Sequence, residues 1–129
     1  FSINMSSIQT TDIESEKYRL KLDKHLKNED FFDVKKFPNS VLTINAVEPL
    51  EGDEYMVNAD LTIKGITHSI DFISTIRIKP KNLIVATAKI KIDRTKWGII
   101  YKSGNFIKDL GDKVILDEIV FDVMVSTQK

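Results

Sequence analysis

Residues 70–93 read IDFISTIRIKPKNLIVATAKIKID, and this stretch decides the fold. In its first half the even positions are mostly apolar and the odd positions mostly polar; the apolar ones are Ile70, Phe72, Ile76 and Ile78. Alternation with a period of two is typical of a β-strand that buries one face. Pro80-Lys81-Asn82 interrupts the alternation, so we predict two antiparallel strands joined by a tight hairpin turn.

The same alternation extends in both directions from this hairpin. It predicts about six strands, each with one apolar face, at residues 1–8, 41–48, 55–64, 70–79, 83–93 and 114–127. The other turn signals are Gly65, Gly104-Asn105 and Gly111-Asp112.

One segment near the start has a helical period instead. Tyr18, Leu22 and Leu26 recur at every fourth position, which predicts a short helix with one buried stripe. Thr10-Thr11-Asp12 offers an N-cap, and we expect the helix to end before Asn28. The helix therefore follows the first predicted strand.

The predicted fold class is mainly all-β. One short helix cannot cover the apolar faces of six strands, which leaves a β-sandwich or a closed barrel. Long strands with short hairpin turns favour an antiparallel up-and-down barrel. A barrel of about eight strands is filled by its own side chains or holds one small ligand. The small inward residues Ala59, Ala86 and Ala88 favour a cavity.

Composition excludes several classes of function. The 129 residues suit one domain, and 19 Lys and Arg balance 19 Asp and Glu, so no net charge favours nucleic acid or an anionic membrane. The absence of cysteine excludes disulfides and thiol chemistry. No apolar run approaches the roughly 18 residues that span a bilayer, so we expect no membrane-spanning segment.

Three motifs carry a family resemblance. Residues 23–34 read DKHLKNEDFFDV and are closed by Phe37-Pro38, residues 61–67 read LTIKGIT, and residues 93–98 read DRTKWG. In this order they resemble the YceI-like family of bacterial polyisoprenoid-binding proteins. Ala59-Asp60 stands where the family's central motif usually has a preceding glycine.

The resemblance implies a lipocalin-like antiparallel β-barrel, usually periplasmic or secreted, that encloses an isoprenoid or a similar long-chain amphiphile. It implies no catalytic residues and no cofactor. Family members carry additional strands before the segment that begins here at Phe1, so we expect residues 1–129 to be a single domain that is incomplete at its N-terminus. A neighbouring chain could cover the open edge, for example in a homodimer.

The apolar parity of the strands selects the residues that would line a lumen. We predict that the ligand contacts Ile3, Met5, Phe32, Val57, Leu61, Ile63, Phe72, Ile90, Trp97, Phe121 and Val123. Parity alone identifies the inner face and not its occupant, so these residues equally suit a core filled by side chains. Only the resemblance favours a bound lipid.

Arg94 is the predicted head-group anchor. A guanidinium at a barrel mouth would bind a phosphate or carboxylate through forked hydrogen bonds. The alternative is that Asp93 and Arg94 pin the end of a strand, which is a common structural role. Trp97 has the same two interpretations, because it could close a lumen or fill a core.

The sequence gives little support to catalysis or to metal binding. His25 and Asp23 do not share a helix face, no ligand spacing surrounds His25, and His68 is expected in a surface turn. There is neither a nucleophile elbow nor a phosphate loop. We therefore expect no metal, no nucleic acid and no enzymatic activity, but a protein that binds, carries or stores a polyisoprenoid, such as an isoprenoid quinone.

Two alternatives to the lipid carrier stay open at this point. The barrel could be filled by its own side chains and serve as a structural or interaction module, with partners bound on its loops. It could also be a small enzyme that acts on a lipid in the cavity.

Overall fold

The computed structural model describes residues 1–104 and 114–128, which form one antiparallel sheet with one helix. Six strands follow one another in space as they do along the chain. They are β1 (Ser2–Asn4), β2 (Asn39–Pro49), β3 (Glu54–Ile63), β4 (Ile66–Lys79), β5 (Leu83–Asp93) and β6 (Glu118–Gln128), and the helix is α1 (Glu16–Lys27). The sheet curls into a half-barrel, which confirms the predicted mainly β, barrel-type fold.

The two edges of the half-barrel are unequal. β1 contributes three residue pairs with β2, from Ser2 opposite Val41 to Asn4 opposite Asn39. β6 pairs with β5 along its whole length, from Glu118 opposite Asp93 to Gln128 opposite Leu83. Within the described residues β1 and β6 do not pair with each other, so the curled sheet is open on that side.

Two hairpins confirm the predicted turns. Lys64 and Gly65 have φ of 52° and 74° and join β3 to β4, which is the two-residue turn whose twist matches that of the strands. A Cβ at Gly65 would lie 3.0 Å from Phe37, so the close approach of that ring also favours glycine. The predicted hairpin at residues 80–82 joins β4 to β5. The turn predictions at Asn105 and Gly111-Asp112 lie outside the described residues.

The first predicted strand is wrong beyond Asn4. Residues Met5–Ser7 form a 3-10 turn, because the Asn4 side chain accepts a hydrogen bond from the Ser6 N–H and the Met5 N–H donates to Pro38 O at 2.8 Å. Local capping thus ends the strand that the alternation extended. The last strand begins at Glu118 rather than at residue 114, and β4 begins at Ile66 rather than at residue 70.

The helix exists, but its start and its stripe differ from the prediction. Ser15 is the N-cap residue, whereas Thr10 donates its backbone N–H to Asp23 at 2.7 Å. Tyr18 is 60% exposed, so only Leu22 and Leu26 of the predicted stripe are half-buried. The helix ends before Asn28, as predicted.

The strand register defines two faces of the sheet, since paired residues point to the same side. A bulge at Asn45 in β2 restores the apolar parity of Val47 after Ile44. The concave inner face carries these residues: Ile3, Ser40, Leu42, Ile44, Val47, Pro49, Tyr55, Val57, Ala59, Leu61, Ile63, Ile66, His68, Ile70, Phe72, Ser74, Ile76, Ile78, Ile84, Ala86, Ala88, Ile90, Ile92, Ile119, Phe121, Val123, Val125 and Thr127.

Candidate functional site

The inner face is uncharged along every described strand. Its register positions include no Asp, Glu, Lys or Arg, whereas the outer face carries pairs such as Lys89 and Asp122, whose charged groups lie 3.8 Å apart. An apolar concave surface without charges is suited to an apolar occupant, because a buried charge without a partner is costly. The inner face is therefore the candidate site.

One end of the inner face, which we call the packed half, is filled by protein. Leu61, Ile63, Ile90 and Ile92 belong to a buried cluster with Phe31, Trp97 and Ile99, which come from the segments that follow α1 and β5. All seven side chains are at most 7% exposed. This half is a core in which the protein's own side chains bury one another.

Trp97 closes the packed half. It is 2% exposed, and its indole N–H donates to Leu61 O at 3.0 Å. The His68 ring meets the indole edge-on at 4.9 Å between centroids, and His68 Nε2 lies 2.8 Å from Lys96 O. His68 thus lies on β4 against Trp97, and its predicted place in a surface turn is wrong.

Arg94 is buried beneath the covering segments. Its Nε donates to Leu116 O at 2.9 Å, its Nη1 to Ile99 O at 2.8 Å, and its Nη2 to Tyr101 O at 2.8 Å and Ile115 O at 3.1 Å. Every guanidinium nitrogen thus donates to a main-chain carbonyl, and the side chain is 1% exposed. This geometry favours the structural interpretation of Arg94 over the head-group anchor.

Two carboxylates surround this arginine. Asp117 Oδ1 lies 3.8 Å from Arg94 Nη2, and burial lowers the pKa of Arg94 while Asp117 and Asp93 act in the opposite direction. The pKa of Asp93 is lowered, chiefly because its carboxylate accepts a hydrogen bond from the Thr95 hydroxyl. It also accepts the Thr95 N–H at 2.9 Å and so caps the 3-10 turn Arg94–Trp97. These contacts order the end of β5.

His25 belongs to the same cover. Its Nε2 lies 3.0 Å from Asp30 Oδ2, and its ring meets the rings of Phe31 and Tyr101 edge-on at 5.1 and 4.8 Å. The chain therefore folds back after the helix and brings the Asp30 carboxylate to His25. Within residues 1–104 and 114–128, no group of three His, Cys, Asp or Glu could hold a metal ion.

The other end of the inner face on β4, β5 and β6 is uncovered, and we call it the open half. Its first row is Ser74, Ala88 and Val123, and the next is Ile76, Ala86 and Val125. Except for buried Ser74, these side chains are half-exposed, and Ile78 beyond them is 76% exposed. The open half is an apolar trough that lacks a cover within the described residues.

The predicted lumen residues divide between these regions. Leu61, Ile63, Ile90 and Trp97 lie in the packed half, and Phe32 packs on its edge. Val57 is buried in mid-sheet, Phe72 and Phe121 are half-exposed next to the open half, and half-exposed Val123 belongs to its first row.

The structure corrects the lumen prediction at Met5 and leaves Ile3 as a prediction. Ile3 shares the inner face with Ser40 and is 51% exposed on the short β1. Met5 is not on a strand; it is buried in the 3-10 turn, where its sulfur accepts the Ser40 hydroxyl at 3.1 Å. The parity of a strand that ends at Asn4 does not extend to Met5.

The predicted contact list left out several wall residues that share the same parity. Ile76, Ala86, Ala88 and Val125 lie on the inner face with the predicted residues and are half-exposed. Ile99 gave no strand signal, because it follows Gly98 in an irregular segment. It is buried in the packed cluster, and its carbonyl accepts a hydrogen bond from Arg94.

A shallow groove of about 390 Å³ lies mainly over the outer side of β4 to β6. Ile73, Thr75, Thr87 and Met124 line it beside the Lys89–Asp122 pair, and Ala88 and Val123 also border it. Met124 is 73% exposed there. Because this groove is open to solvent and rimmed by charges, it would remove less of an apolar chain from water than the concave inner face would.

Comparison with solved structures supports the barrel architecture. The Campylobacter jejuni YceI protein superposes with a TM-score of 0.75 at 21% identity, over 99% of this chain and 70% of that one. Burkholderia cenocepacia BcnA superposes with a TM-score of 0.77 at 21% identity, over 98% of this chain and 72% of that one. At this identity the likeness shows the fold alone.

Comparison of sequences shows the family. A UPF0312 protein of Photorhabdus laumondii is 29% identical over 119 residues, which are 87% of this chain and 53% of that protein. Protein YceI of Salmonella arizonae is 35% identical over 69 residues, which are 54% of this chain and 32% of that protein. The chain thus spans about half or less of these relatives. The family model described as YceI-like domain matches residues 1–126, and the chain belongs to the YceI-like family.

Proposed function

We propose that this protein binds and carries a polyisoprenoid or a similar long-chain lipid, such as an isoprenoid quinone, in the open half of its inner face. The observation that carries the proposal is the uncharged, half-exposed row pair formed by Ala86, Ala88, Val123, Val125 and Ile76. These side chains face the concave side of a curled sheet, where one extended chain could contact three strands at once.

The removal of the lipid's apolar chain from water would drive binding. Each CH₂ group removed from water contributes about 0.8 kcal/mol, so a long chain binds tightly with few polar contacts. Since the inner face carries no charge and the Arg94 donors are engaged, selectivity would come from the width and length of the chain more than from its head group.

The proposal is of binding without turnover. Ser74 is the buried hydroxyl of the open half, and its Oγ donates to Thr87 O at 3.0 Å rather than to a base. A serine nucleophile requires an adjacent general base. This row therefore offers no nucleophile with a general base that would support the alternative of a lipid-acting enzyme.

We further propose a periplasmic or secreted location, on the family resemblance and because the named relatives are bacterial. In residues 1–104 and 114–128, no helix has the length and apolarity needed to cross a membrane. A carrier of long-chain lipid between membranes would work in that compartment.

The test is organic extraction of the purified protein followed by mass spectrometry. A long-chain compound recovered in a molar ratio near one supports the carrier. A protein that yields no such compound and, after delipidation, takes up no prenyl alcohol would contradict it. The variant Met124→Asp, on the exposed outer face, is the control and should retain the ligand.

A further inference from the structure

We propose that Phe72 and Phe121, together with Ile90 between them, stop the bound chain at its inner end and so determine which chain lengths bind. The inference rests on the proposed function, because it assigns a length limit to the same trough. It also predicts that the tail of the lipid points towards the packed half.

The register pairs Ile90 with Phe121, and Phe72 comes one inner position after the last described β4–β5 pair, Ser74 with Ala88; we call these three residues the large row. Ser74, Ala88 and Val123 lie side by side on the inner face. One inner position nearer to the packed half, the residues are Phe72 on β4, Ile90 on β5 and Phe121 on β6. Side-chain size thus changes abruptly between neighbouring rows, from small residues to two phenyl rings.

The large row is held in place from behind. Ile90 belongs to the buried cluster, and Phe72 and Phe121 pack against it. Both rings are only half-buried, so part of each is accessible from the concave side. In the row below Ser74, the residues Ile76, Ala86 and Val125 lie outside the contacts of that cluster, so the packing formed by residues 1–104 and 114–128 ends before this row.

The polarity of the two ends sets the orientation of the ligand. Beyond the large row, the Arg94 donors and the Trp97 N–H are all occupied by main-chain carbonyls, so a polar head group would lose its hydrogen bonds with water and gain none. At the opposite end, the hairpin Pro80–Asn82 is exposed to water. The head group therefore stays at the hairpin end.

The experiment measures the Kd of delipidated protein for straight-chain alcohols from hexanol to hexadecanol. Kd should fall about fourfold for each added methylene until the chain reaches the large row, and then level off. Phe72→Leu and Phe121→Leu should move this point to longer alcohols, and Ala88→Leu should move it to shorter ones. Phe37→Leu replaces a half-buried ring over the Gly65 hairpin and should leave the alcohol length at which Kd levels off unchanged.

The outcomes separate this inference from the proposed function. If no alcohol binds the unaltered protein, the proposed function fails. If alcohols bind but the levelling point is the same in folded Phe72→Leu and Phe121→Leu, the length limit is wrong. If circular dichroism shows that either phenylalanine variant does not fold, the Ala88→Leu variant is the test. A shorter alcohol length at which Kd levels off supports the inference, and an unchanged length overturns it.

Discussion

The packed half and the open half of the inner face have the same strand pattern but differ in how far the described residues cover them. Both consist of alternating apolar residues on neighbouring strands, yet Leu61 and Ile63 are buried whereas Ala86 and Val125 remain half-exposed. Among the described residues, the difference comes from the irregular segments that place Phe31, Trp97 and Ile99 over the packed half. Alternation thus defines a face, and the segments between the strands decide which part of that face is buried by protein.

An introduced carboxylate should separate the two halves most strongly. Leu61→Asp places a charge in the packed cluster and should lower the free energy of unfolding by more than about 4 kcal/mol, enough to abolish the fold. Ala88→Asp in the half-exposed trough should cost less than about 2 kcal/mol while removing binding of a prenyl alcohol. Urea denaturation and ligand titration measure both effects. Equal loss of stability in the two variants would show that the trough is a core.

Removal of the buried guanidinium should be the next largest effect. Arg94→Ala leaves four main-chain carbonyls without their donor and should lower the free energy of unfolding by about 4 kcal/mol. The matched control is Arg77→Ala, which removes an exposed arginine 3.4 Å from Asp53 and should cost less than about 1 kcal/mol. Similar urea midpoints for the two variants would argue against Arg94 as the group that orders the cover.

A smaller effect should depend on pH. Because the pKa of Asp93 is lowered in the folded protein, its ionised form adds stability that is complete above the unfolded pKa of about 3.9 and is lost as the pH falls through the folded value. Asp93→Ala should therefore cost about 1 kcal/mol at neutral pH and less at acidic pH. Urea unfolding between pH 7 and pH 3 measures this difference.

The control for this pH dependence is Asp122→Ala. Asp122 lies 3.8 Å from Lys89 on the exposed outer face and caps no turn. Its removal should change stability little at either pH. A cost of removing Asp93 that stays constant from neutral to acidic pH would refute a role for its charge.

The strands were largely predictable from the sequence because their alternation is a local property. β5 has the predicted bounds, and the hairpin at residues 80–82 follows from Pro80. Predictions failed where a side chain forms local hydrogen bonds that replace strand pairing, as at Asn4. They also failed where the burial of a residue depends on groups that are distant in the sequence. Tyr18 has the helical spacing of a buried residue, but no strand reaches it.

The site was less predictable than the fold. Parity correctly selected the inner face, but it ranked Leu61 and Trp97 beside Phe121 and Val123, although only the latter pair lies in or next to the open half. The distinction depends on the cover, and the cover depends on where the carbonyls of Ile99 and Tyr101 meet Arg94. Such contacts between irregular segments have no periodic signal in the sequence.

The central claim, that a lipid chain occupies the open half and not the packed half, can be tested with the four alanines of the chain. Ala86 and Ala88 line the trough, Ala59 is fully buried on the same face, and Ala46 is exposed on the outer face. In a titration of delipidated, methyl-labelled protein with farnesol, NMR should show the Ala86 and Ala88 methyl signals shifting with saturation, while Ala46 and Ala59 stay in place. Shifts confined to Ala46, or no shift at any alanine, would contradict the account.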